Sequence, residues 1–351
     1  MGRAMHYTEL TAARAELTAP GGTFEIAEIE LRGQQVKAFK TALPDIRALW
    51  LATAAFADRT YLVYEHERLS YADAQSRVGA IAAWLAAQGL VAGDRVAIAM
   101  RNYPEWMLIY WACTASGLAV VGMNAWWTPV EMAYALDDSA PRALFLDAER
   151  LARLQARPEM AADMLLIGVR LPAPAAGVIE FADVIARGIS LGGRLPDVAI
   201  DPDDDACIFY TSGTTGHPKG AQLTHRGCIT NLYNMMYAGA STALALYKAK
   251  GIVPPVAPPP VALITTPLFH VTANNCGAFA TTAAGGTMVL MYRWDAGEAL
   301  RLIARERVTA MSGVPVMARE VIGHPDFAAT DTSSLISLGG GGAQLPPDLV
   351  H

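Results

Sequence analysis

Ten consecutive residues, Thr211-Ser212-Gly213-Thr214-Thr215-Gly216-His217-Pro218-Lys219-Gly220, carry the densest chemistry in the sequence. They hold three glycines, four hydroxyl side chains and one lysine. Glycine lets a backbone turn sharply and approach a ligand closely. Successive N–H groups in such a turn form a concave seat for an anion. The hydroxyls add donors for phosphate oxygens, and Lys219 adds positive charge. A plain solvated turn would need neither the hydroxyls nor the lysine. The P-loop of nucleotide hydrolases is a second alternative, but it places Gly-Lys-Ser/Thr four residues after its first glycine. Here Lys219 stands between Pro218 and Gly220, so that spacing fails. The Gly-x-Gly-x-x-Gly of a dinucleotide fold is absent from the first strand–helix turn.

Two further stretches draw notice. Phe269-His270 follows Pro267-Leu268, where the imidazole could cover or hydrogen-bond a carboxylate, although a histidine taken alone reads as an ordinary half-buried one. Gly341, Gly342 and Ala343 follow the apolar run Leu335-Ile336-Ser337-Leu338, and small residues at a strand end allow a flat ring to lie on the backbone. A flexible glycine turn is the plainer reading.

The elements that must position these residues alternate. Leu69-Ser70-Tyr71 leads into a helix with Val78, Ile81, Ala82 and Leu85 at helical spacing, and Gly89 is placed to end it. Arg95 to Met100 reads as a buried strand, Pro104 opens a helix, Gly117 ends it, and Leu118 to Val121 is a second strand. Thr128-Pro129-Val130-Glu131 has a helix-start signature, and Ala143 to Leu146 makes a third strand. Ala206 to Tyr210 is an apolar strand feeding straight into the glycine-rich loop, behind which Thr224-His225 opens another helix. The pattern predicts the α/β class, with a mostly parallel sheet covered by helices on both faces. The acidic run Asp201 to Asp205 reads as a solvated entry to that strand, and Pro254 to Pro260 as an exposed, extended insertion.

The segment Tyr210 to Gly220 resembles the phosphate loop of the adenylate-forming superfamily, which includes acyl-CoA synthetases, peptide-synthetase adenylation domains and luciferases. Leu69-Ser70-Tyr71, Gly93-Asp94-Arg95-Val96, Asn102-Tyr103-Pro104-Glu105, Gly122-Met123-Asn124 and Asp138-Ser139 resemble the earlier landmarks of that family in order. Pro267-Leu268-Phe269-His270, Ser312-Gly313-Val314-Pro315 and Gly341-Gly342-Ala343 resemble later ones, so the similarity runs from about residue 45 to 351. It implies two stacked α/β subdomains: one over about 70–204, the other over about 205–345 and joined by 20–69. Together they would form the large N-terminal domain of such an enzyme, truncated before its C-terminal domain.

The resemblance implies that a carboxylate attacks the α-phosphate of ATP, giving acyl-adenylate and pyrophosphate, and that the thiol of CoA then displaces AMP. Thr211, Ser212, Gly213, Thr214, Thr215, Gly216 and Lys219 would hold the phosphates. Gly341, Gly342 and Ala343 would shelve the adenine. Phe269, His270, Val271, Asn274 and Val314 would meet the acid, with His270 and Lys219 as candidate catalytic residues. ATP, Mg²⁺ and CoA are the implied cofactor, metal and co-substrate, and no metal ligand is expected within this chain. The Tyr-Gly-x-Thr-Glu segment with its magnesium-binding Glu and the C-terminal lysine of the family lie beyond His351. The chain alone is therefore expected to be nearly inactive.

Composition narrows the rest. Hydrophobic residues make up 53% and charged residues 17%, which implies a large buried core. The net charge of −6 and the lack of a basic run speak against nucleic-acid binding. Cys113, Cys207, Cys228 and Cys276 are far apart and suggest neither a zinc site nor a disulfide framework, which fits a cytoplasmic protein. Trp106 to Val130 carries no charged residue, but Gly117, Gly122 and Asn124 interrupt it, so a buried helix followed by a buried strand is preferred to a membrane span. No acid lies between Gly251 and Tyr292 to meet a substrate ammonium, which favours a fatty or other apolar acid over an amino acid. Loading of a fatty acid onto a carrier protein and a non-catalytic nucleotide- or adenylate-binding module are the competing readings, and a homodimer is compatible with either.

Overall fold

The computed structural model describes residues 7–161, 163–211, 217–253, 255 and 257–340. Two mostly parallel sheets dominate it. The first runs, edge to edge, Lys219–Thr224, Asp205–Thr211, Ala119–Gly122, Arg95–Ala99, Ala143–Leu146, Leu165–Gly168 and Ile179–Glu180. The second runs Ser337–Gly340, Ala310–Gly313, Val261–Ile264, Thr287–Leu290, Thr60–Tyr64 and Glu67–Ser70. Each has a single antiparallel pair, at one edge.

The local signals hold where they are strongest. The helix Tyr71–Ala87 starts with a capping box between Ser70 and Asp73 and buries Val78, Ile81, Ala82 and Leu85. Gly89 and Gly117 follow their helices at φ +80° and +74°, the left-handed region that a side chain would strain. The helix Pro104–Thr114 is buried at every position, because helices and strands surround it on all sides. Trp111 stacks on Trp50 at 5.2 Å, and its indole N–H donates to the Tyr61 hydroxyl at 2.6 Å. One continuous apolar cluster takes in Leu62, Val96, Ile98, Trp106, Ile264 and Leu290, and so joins both sheets. Among the described residues no helix is long and apolar enough to cross a membrane.

One boundary needs correction. The change of sheet does not fall near residue 204. Cys207, Ile208 and Phe209 pair in parallel with Val120, Val121 and Gly122, so the strand after the acidic run closes the first sheet instead of opening the second. Of residues 20–69, Thr60–Tyr64 and Glu67 onward enter the second sheet. The hairpin Ile26–Leu31/Gln34–Phe39 instead packs Phe24 and Phe39 against Tyr233 and Tyr237 of the long helix His225–Lys250. Residues 255 and 257–260 of the proline-rich segment lie outside any helix or strand.

His225, the first residue of that long helix, is fully buried, and its Nδ1 accepts the Ile46 N–H at 3.2 Å. Burial holds its pKa below the ordinary value, against the opposing pull of Asp45 and Asp204. Above about pH 6.5, the value of a free histidine, folded and unfolded chains both carry it neutral. Below that pH the unfolded chain takes up a proton that the folded chain refuses, so stability must fall as pH falls. The urea midpoint is expected to drop between pH 7 and pH 5, and His225→Gln should remove part of that slope. An unaltered slope in the variant would assign the proton uptake to other groups.

Candidate active site

The glycine-rich loop springs from an antiparallel hairpin. Thr211 pairs with Lys219 and Tyr210 with Gly220, and the Thr211 hydroxyl lies 3.4 Å from the Lys219 carbonyl. The hairpin thus brings Thr211 and Lys219 together at the base of the loop. Ser212, Gly213, Thr214, Thr215 and Gly216 lie outside the described residues. The Lys219 strand is the edge of its sheet, and Lys219 itself is exposed. Behind it, Thr224 caps the long helix by accepting the Gly227 N–H at 3.0 Å.

The second arm of the site leaves the strand Val261–Ile264. Asn102, at the end of the Arg95–Ala99 strand, clamps it: its Nδ2 donates to the Thr266 carbonyl and its Oδ1 accepts the Leu268 N–H, both at 2.9 Å. The Thr265 hydroxyl donates to the Ser312 carbonyl at 2.7 Å, tying in the neighbouring strand Ala310–Gly313. Val314 follows that strand as the N-cap residue of the helix Pro315–Ile322 and is half-buried. Because Val261–Ile264, Ala310–Gly313 and Ser337–Gly340 are parallel neighbours, the segments that follow them leave one edge of the sheet. Gly341, Gly342 and Ala343 lie outside the described residues.

Phe269 is buried and meets Trp126 edge-on at 5.2 Å. His270 is exposed, and its Nδ1 accepts the Thr272 N–H at 3.3 Å. With Nδ1 an acceptor, Nε2–H is the ring's remaining hydrogen-bond donor. Val271 is exposed beside it. Asn274 is not brought to that surface. It sits on a π-helical turn, Thr272–Ala278, fully buried, with Nδ2 4.0 Å from the Met107 sulfur and Oδ1 lacking a hydrogen-bond partner among the described residues.

The sequence did not single out a cleft of about 290 Å³ between the carboxyl ends of strands from both sheets, lined by Arg101, Asn102, Trp126, Thr265, Phe269 and Tyr292. The Arg101 guanidinium lies 5.1 Å from the Trp126 ring and 5.7 Å from that of Tyr292. Asn102 was visible only as part of a landmark, and nothing local announces Arg101 or Tyr292. Among the described residues no cluster of three or more His, Cys, Asp or Glu could hold a metal.

The glycine- and hydroxyl-rich segment and the His270 segment both follow the carboxyl ends of strands in mostly parallel sheets, where α/β folds characteristically bind ligands. The chain belongs to the AMP-binding enzyme family, whose pattern it matches over residues 49–351. It is 34% identical over 281 residues to a feruloyl-CoA synthase of Amycolatopsis sp, a match taking in 80% of this chain and 50% of that protein. A long-chain-fatty-acid–CoA ligase, FadD13 of Mycobacterium tuberculosis, is 28% identical over 287 residues, 81% of this chain and 52% of that one. The crystal structure of the N-terminal domain of FACL13 from the same organism superposes with a TM-score of 0.71 at 25% identity, covering 88% of this chain and 72% of that domain. The chain spans about half the length of the curated relatives it matches.

Proposed function

We propose that this chain carries the nucleotide- and acid-binding part of an ATP-dependent carboxylate:CoA ligase acting on a fatty or other apolar acid. The observation that carries this is the presence of two arms that follow the carboxyl ends of sheet strands. A hairpin holds Thr211 and Lys219 at the mouth of a glycine- and hydroxyl-rich loop, and a clamped segment carries the exposed His270. Relatives that act on aromatic and on long-chain acids support an apolar substrate without separating the two.

In this reading the loop and Lys219 neutralise the phosphates of ATP, while His270 donates to the acid. The carboxylate oxygen attacks the α-phosphorus, and the bond to pyrophosphate breaks. A thiol then attacks the acyl carbon and AMP leaves. Charge develops on oxygen in both steps, so pre-placed donors are what the protein must supply. The described residues offer an exposed cation and hydroxyl suited to a nucleotide, and Mg²⁺ bound with ATP would shield its charge.

The test is acid-dependent exchange of pyrophosphate into ATP across fatty, hydroxycinnamic and arylacetic acids, on the 351-residue chain and on the product of its full reading frame. Exchange is expected only from the latter, with apolar acids. ATP binding without exchange from any acid would instead support a non-catalytic binding module. Exchange followed by transfer to a carrier protein and not to CoA would redirect the second step.

A further inference from the structure

We propose that the helix Pro129–Ser139 splints the glycine-rich loop, with Tyr134 and Asp138 as positioning residues for its two arms. This rests on the reading of that loop as the phosphate site.

The arms start from a weak place. The strand Lys219–Thr224 is a sheet edge with one neighbour, and Lys219 to Gln222 are exposed. Binding between two chain ends costs less ordering entropy when those ends are already fixed. The residues flanking the loop nevertheless meet one helix face. Before the loop, the Tyr210 hydroxyl donates to Asp138 Oδ2 at 2.7 Å and lies 3.2 Å from the Ala135 carbonyl. The Tyr210 ring also sits edge-on to Trp127 at 5.3 Å. After the loop, the His217 ring stacks on Tyr134 at 4.8 Å and 23°.

Tyr134 and Asp138 are one helical turn apart, so they project from the same side. The helix is itself well fixed. Thr128 and Glu131 form a capping box, Pro129 occupies its first turn, and Met132, Ala135, Leu136 and Ser139 are buried. Burial, followed by the hydrogen bond to Asp138, pushes the Tyr210 phenol above its ordinary range, so the donor stays protonated at neutral pH. A rigid element therefore grips the last described residues before the loop and the first after it. The effect of such a splint is preorganisation: ends already fixed leave less entropy to lose when phosphate binds.

The experiment is magnesium-ATP affinity by titration calorimetry on the 351-residue chain, with thermal unfolding of each variant alongside. Tyr134→Ala and His217→Ala are each expected to weaken binding about 2- to 10-fold, the worth of one aromatic pair. Tyr134→Phe should bind like wild type, because the stack survives. The double variant Tyr134→Ala/His217→Ala should be little worse than either single one, the signature of a coupled pair and not of general loosening. Tyr210→Phe and Asp138→Ala should behave as a second such pair. If Tyr134→Ala fails to fold, His217→Ala, which leaves the helix untouched, decides alone. Full affinity in His217→Ala and Tyr134→Ala, with Lys219→Ala impaired, overturns the splint while leaving the phosphate site standing. Full affinity in Lys219→Ala, or no binding by wild type, removes the phosphate site and the splint's purpose with it.

Discussion

Lys219→Ala should bind magnesium-ATP about 10- to 100-fold more weakly than wild type, with an unchanged melting temperature. A charge-assisted hydrogen bond is worth about 1.5–3 kcal/mol, and each 1.4 kcal/mol is tenfold in affinity. Among the described residues no hydrogen bond or ion pair is made by the side chain. Lys219 is exposed, and its pairing with Thr211 is made by the backbone, which alanine retains. Lys219→Arg keeps the charge and should recover part of the loss. Calorimetric titration decides: equal affinity in Lys219→Ala and wild type would take the residue out of the phosphate site.

Asn102→Ala should have the second large effect, on both stability and acid handling. Asn102 is buried and satisfies two backbone groups of another strand's loop, the Thr266 carbonyl and the N–H of fully buried Leu268. Leaving a buried polar group unmet costs about 1–3 kcal/mol, so the pair should lower stability by about 2–4 kcal/mol in urea unfolding. The released segment carries Phe269 and His270. The KM for the acid in pyrophosphate exchange should therefore rise more than the KM for ATP. Asn102→Asp retains the acceptor for Leu268 and loses the donor to Thr266, and should fall between. If both Michaelis constants rise together, or neither does, Asn102 does not set the His270 arm, and the Thr265–Ser312 tie is enough to hold it.

How much of this was legible in the sequence depends on range. The Thr128–Glu131 start of the splinting helix and the Ser70 start of the Tyr71–Ala87 helix were readable because a cap is a contact within one turn. The apolar strand running into the loop was readable for the same reason. Sheet membership was not. The acidic run before Asp205 looks like a border, yet the strand behind it joins Ala119–Gly122, and no local feature encodes that partner. The direction of Asn274 was hidden because a π-helical turn departs from the 3.6-residue period by which faces are counted. The cleft beside Phe269 draws on segments that follow four strands, Arg95–Ala99, Ala119–Gly122, Val261–Ile264 and Thr287–Leu290, each unremarkable alone. The stack of His217 on Tyr134 joins segments that nothing in their spacing connects.

The order of strands in the second sheet bears on how the chain reaches its native state. Thr60–Tyr64 lies between Glu67–Ser70 and Thr287–Leu290, and the Thr287 hydroxyl donates to the Thr60 carbonyl across 227 residues of sequence. Everything that builds the first sheet is synthesised between those partners. The Thr60 strand therefore waits, half-paired, until the ribosome has delivered the far side of its own sheet. Pairing over such a separation is slow, because loop closure precedes any gain from contact. The second sheet therefore cannot be completed during translation until Met288, Val289 and Leu290 arrive to pair with the open edge of Leu62, Val63 and Tyr64.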